Sequence, residues 1–62
     1  MKRQIAQLLR QGMSVEFQST IDENGYKTYQ WVVADIEEGD VINGAMGFNN
    51  PAECFQDFID KN

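Results

Sequence analysis

Asp22-Glu23-Asn24-Gly25 decides the fold. It sits between Met13-Ser14-Val15-Glu16-Phe17-Gln18-Ser19-Thr20-Ile21 and Tyr26-Lys27-Thr28-Tyr29-Gln30-Trp31-Val32-Val33-Ala34-Asp35-Ile36. The upstream run alternates, with Met13, Val15, Phe17 and Ile21 apolar and Ser14, Glu16, Gln18 and Thr20 polar, as in a half-buried strand. The downstream run, residues 26–36, is rich in Tyr, Trp and Val and reads as a second strand. Asp first and Gly last fit a type I turn closing as a G1 bulge. That turn sets Asp22 against Tyr26, Phe17 against Trp31 and Val15 against Val33, gathering the large apolar groups on one face. The alternative, a two-residue Asn24-Gly25 turn, sets Trp31 against Gln18 and turns the second strand over. In that register Tyr29, Trp31 and Val33 form an exposed aromatic stripe suited to binding. Burial of Trp31 and Phe17 together favours the bulge.

Outward from the hairpin, Glu37-Glu38-Gly39-Asp40 is a second turn, and residues 41–48 form a third strand weakened by Gly44 and Gly47. Asn50-Pro51-Ala52-Glu53 supplies an N-cap, a Pro at N1 and an acid at N3. Ala52, Phe55, Phe58 and Ile59 make the apolar stripe of the helix that follows, residues 50–61. At the other end, Met1, Ile5, Leu8 and Leu9 share one face of a helix within residues 1–12, stopped by Gly12. The expected architecture is a single α+β domain over residues 1–62, in the order α-β-β-β-α. Residues 13–48 form an antiparallel meander, and both helices lie on one face.

From Val15 to Lys61 the chain resembles the small YegP-like domains, a strand meander followed by one helix. The residues that carry the likeness are Val15-Glu16-Phe17, Asn24-Gly25-Tyr26, Trp31, Gly39-Asp40-Val41-Ile42, Gly47-Phe48, Ala52, Cys54 and Ile59. The hairpin loop is longer here, and residues 1–12 have no counterpart. Members of that family often carry the unit twice. A single copy therefore implies a homodimer, and the resemblance implies no catalytic or ligand residues. The element order is also similar to that of double-stranded-RNA-binding domains. Those grip phosphates with lysines opening the second helix, where this chain has Asn50-Pro51-Ala52-Glu53.

Sixty-two residues bury only about 60% of the surface the unfolded chain exposes. Cys54 is the only cysteine and histidine is absent, which excludes an internal disulfide and a Cys/His zinc site and leaves nucleophilic catalysis without a base. No pocket large enough for a substrate is expected in so short a chain. No cofactor or metal is expected. The start, Met1-Lys2-Arg3, lacks the apolar run of a secretory signal, and no stretch approaches the roughly 18 apolar residues of a membrane span. One free thiol points to the cytoplasm.

Ten acids against five bases give a net charge of −5. Lys2, Arg3 and Arg10 crowd the first helix, and every acid lies beyond it. An acidic body argues against direct nucleic-acid binding. The densest acidic cluster, Asp35, Glu37, Glu38 and Asp40, departs from EF-hand spacing; it is a candidate contact for a basic partner, or simply a solvated turn. The first helix, basic on its polar face, is weighed against a partner or a membrane surface and is expected on its own sheet. The expected function is a small non-enzymatic protein-binding or regulatory protein, a homodimer, of the kind a phage or mobile element uses as an accessory. The alternative is an acidic nucleic-acid mimic that inhibits a DNA- or RNA-binding enzyme. A nucleic-acid binder acting through Lys2, Arg3 and Arg10 ranks third.

Overall fold

A computed structural model describes all 62 residues. The elements run α1 (Lys2–Arg10), β1 (Met13–Ile21), β2 (Lys27–Asp35), β3 (Val41–Phe48) and α2 (Pro51–Lys61). The three strands form one antiparallel sheet in the order β1-β2-β3, so the fold is α+β in the expected order. The second strand is one residue shorter at each end than the sequence pattern implies. Neither helix, of nine and eleven residues, is long and apolar enough to cross a membrane.

The first hairpin closes as the turn chemistry dictates. The Gly25 amide donates to the Asp22 carbonyl at 3.0 Å, and the Asp22 amide to the Tyr26 carbonyl at 2.8 Å. Gly25 has φ 84°, the left-handed conformation a G1 bulge requires. The Asp22 carboxylate accepts from the Asn24 and Tyr26 amides at 2.9 Å each. The register follows: Phe17 opposite Trp31, Val15 opposite Val33. β3 continues these rows, with Asn43 beside Val33 and Ala45 beside Trp31.

Both helices pack on the face these rows share. α1 lies against β1, and α2 lies across β2 and β3. The fully buried core is Trp31, Val33, Cys54 and Phe58, with Ile5, Leu8, Val15, Phe17, Tyr29 and Ile59 packed around it. Phe58 meets Phe17 and Trp31 edge to face, with ring centroids 5.2 and 5.4 Å apart. Phe55 meets Phe17 in the same way at 5.1 Å. Such pairs add about 0.5–1.5 kcal/mol each beyond area burial. Asn50 caps α2, its side chain accepting from the Glu53 amide at 2.9 Å.

Some apolar expectations change: of the residues expected on the apolar face of the first helix, Met1 and Leu9 are exposed. Ala52 is exposed, because the inward side of α2 centres on Cys54 and Phe58. Ile21 and Ile36 are 63% and 64% exposed. An eleven-residue helix is about 16 Å long, and nine-residue strands run about 30 Å. The helices therefore leave the hairpin end of the sheet, with Ile21, bare, while Ile36 lies in the turn beyond β2.

Candidate functional surface

The side of the sheet opposite the helices has no cover. Its rows are Ser14–Ala34–Val41, Glu16–Val32–Gly44 and Gln18–Gln30–Met46, with Thr20 beside Thr28 at the hairpin end. Glu16 is the only charged residue in these rows. On β1 and β2 the surface is polar and internally bonded. Gln18 donates to Glu16 at 2.7 Å, Gln30 to Gln18 at 2.6 Å, and the two threonine hydroxyls lie 3.2 Å apart. On β3 it is apolar, with Val41, Ile42 and Met46 at 69%, 55% and 75% exposure.

A groove of about 490 Å3 crosses this apolar half, walled by Gln30, Val32, Val41, Ile42 and Met46. Gly44 forms its floor. A Cβ there would stand 2.9 Å from the Trp31 carbonyl oxygen, so the close approach of β3 to β2 keeps the floor bare. Its volume exceeds what the length of the chain implies, because the groove is an open trough rather than an enclosed cavity. None of its lining residues is titratable. The sequence signal was the pairing of Gly44 with exposed apolar neighbours, but Gly44 read there only as a weak point in a strand.

The acids fall in separate groups. Asp22 and Glu23 sit at the hairpin tip, and Glu53, Asp57 and Asp60 on α2. Asp35, Glu37, Glu38 and Asp40 share the β2–β3 turn. There Asp35 is structural: its carboxylate accepts from the Glu37 and Glu38 amides at 2.9 and 3.2 Å. Glu37, Glu38 and Asp40 are exposed. No three carboxylate or thiol groups converge as a metal site would need. Lys2, Arg3 and Arg10 are exposed on α1. The Ile36 amide bonds the Gly12 carbonyl at 3.1 Å, which brings the Arg10 end of α1 to the end of the sheet that carries the acidic turn. Lys2 and Arg3 lie at the opposite end of the helix.

The only ion pair is Lys61–Asp57 at 3.1 Å, and Asp57 also accepts the Trp31 indole N–H at 2.9 Å. The indole hydrogen bond, and then Lys61, hold the Asp57 carboxyl below the usual carboxylate range against an opposing desolvation. Cys54 is buried in the core; burial, with the Asp57 charge adding to it, pushes its thiol up, away from the thiolate a nucleophile needs. No family model matches this chain, and no curated protein or solved structure matches it either.

Proposed function

We propose that this chain is a non-enzymatic protein-binding module that docks a partner on the uncovered sheet face. The observation that carries this reading is the apolar half of that face. Val41, Ile42 and Met46 stand exposed around the Gly44 groove, on a surface with one charge in a chain with fifteen charged residues. Depletion of charge around exposed apolar side chains is the compositional mark of an interface centre. The acids at its rim would steer a basic partner's approach. The groove offers no acid, base or nucleophile, which supports binding over catalysis. A cytoplasmic setting suits the single free thiol.

The test is site-specific photo-crosslinking in the cells that produce the protein. A photoreactive residue replaces Gln30 on the open face or, in a second variant, Gln56 on the exposed side of α2. Adducts with a different polypeptide are expected from position 30 and not from position 56. Adducts from position 56 alone would overturn the reading.

A further inference from the structure

We infer that the β3 flank is the surface through which a second copy of this chain binds, strand to strand, giving a two-fold dimer with one continuous six-stranded sheet. This rests on the docking reading above, since it takes β3 as part of the docking surface.

Exposed sheet edges are normally defended by charge, proline, bulges or a covering element. β1, one edge, carries Glu16 and lies beside α1. β3, the other, reads Val41-Ile42-Asn43-Gly44-Ala45-Met46-Gly47-Phe48. It has neither a charge nor a proline; bulges at Ile42 and Gly47 leave residues 43–46 as the regular stretch of this edge. Its unpaired N–H and C=O groups are a template for another strand.

Charge placement favours a second copy and fixes its orientation. Two chains of net charge −5 repel least along a strand that carries no acid, and β3 carries none. A strand paired with its own copy about a two-fold axis runs antiparallel to it. Each acidic turn, ending at Asp40, then lies beside the uncharged Gly47–Asn50 end of the other copy. The two acidic turns stand about 26 Å apart along eight residues of strand, well beyond the screening length of about 8 Å.

The helix supplies the second half of the fit. α2 packs on both β2 and β3, so a two-fold axis outside β3 and normal to the sheet sets the two α2 helices on the same face of the joined sheet, running antiparallel. Phe55 points to Phe17 on β1. Helical spacing puts Glu53, Asp57 and Lys61 on the opposite side, toward the β3 edge. Antiparallel helices bring Lys61 of each copy, paired with its own Asp57, toward the Glu53 end of the other, which offsets in part the acids α2 brings to this flank. A foreign strand could pair with β3, but only a second copy brings the matching helix.

The experiment is sedimentation velocity on the full chain from about 10 µM to about 1 mM, with amide hydrogen exchange at both ends of that range. A reversible dimer is expected, with the outward amides of β3 exchanging more slowly as concentration rises. The Ile42→Glu/Met46→Glu double variant changes only exposed side chains. It should keep the tryptophan emission of the wild type and dimerise at least about tenfold more weakly. A monomer throughout the range, or protection confined to β1, would overturn the inference. So would a folded double variant that dimerises as well as the wild type. If the double variant does not fold, the exchange pattern of the wild type decides. A monomer that still gives adducts from position 30 removes only the second copy; a dimer without such adducts removes only the wider docking reading.

Discussion

The indole nitrogen of Trp31 donates to the Asp57 carboxylate across the sheet–helix interface, 2.9 Å away and 26 residues along the chain. This bond joins the most deeply buried side chain of β2 to α2. Trp31 is 0% exposed, so its N–H needs a partner inside the protein, and Asp57 is the partner α2 brings.

Trp31→Ala should remove about 3–5 kcal/mol of stability. A chain of this length has about 3–9 kcal/mol in all. Urea titration followed by circular dichroism should show a strongly lowered midpoint or a variant already unfolded at 25 °C, and a Trp31→Ala with the wild-type midpoint would contradict the core described here.

Stability should fall in acid partly through Asp57. Its folded proton affinity is lowered, first by the Trp31 hydrogen bond and then by Lys61. Its contribution is therefore complete above the unfolded value of about 4 and is lost as pH falls through the lower folded value. Urea midpoints for wild type and Asp57→Asn should differ at pH 7, with the variant weaker, and should converge as the pH drops below about 4. A gap that stays constant with pH would show that the charge of Asp57 contributes nothing.

Gly44→Ala should destabilise the protein by about 1–3 kcal/mol. The added methyl would meet backbone, the Trp31 carbonyl at 2.9 Å, which cannot swing aside as a flexible side chain can. Urea titration measures the loss; an unchanged midpoint would mean that β3 moves off β2 freely.

Substitutions at Gly25 should rank by their tolerance of positive φ. With φ 84° and open space around the Cβ position, the penalty is conformational, about 1–2 kcal/mol for an ordinary residue. Gly25→Asn should retain most stability, Gly25→Ala less and Gly25→Val least. Thermal melts of the three give the order.

The register was legible because a four-residue turn fixes it. A turn that opens at Asp22 and closes as a bulge at Gly25 sets Phe17 against Trp31, and burial of both rings favours it over the two-residue turn, which also takes a left-handed Gly25. The α2 cap was legible for the same local reason: Asn50, Pro51 and Glu53 act within one turn. The open-face groove was not, since it depends on how closely β3 approaches β2 at Gly44. Nor was the role of Asp57. Its sequence context says only that it lies four residues before Lys61, and which carboxylate reaches the indole depends on how α2 docks. The bare sheet end around Ile21 follows from helix and strand lengths, which periodicity alone does not compare.

A core of four fully buried side chains also sets how this protein responds to heat. At about 0.7 kcal/mol per residue the unfolding enthalpy near 60 °C is only about 43 kcal/mol. A two-state transition with that enthalpy spreads over about 20 degrees between one-tenth and nine-tenths unfolded. The heat-capacity increment, about 0.7–0.9 kcal/mol/K, gives a gently curved stability profile. A broad, low calorimetric peak is thus the signature of an intact, cooperatively folded chain of this architecture, and does not mark a partly molten one.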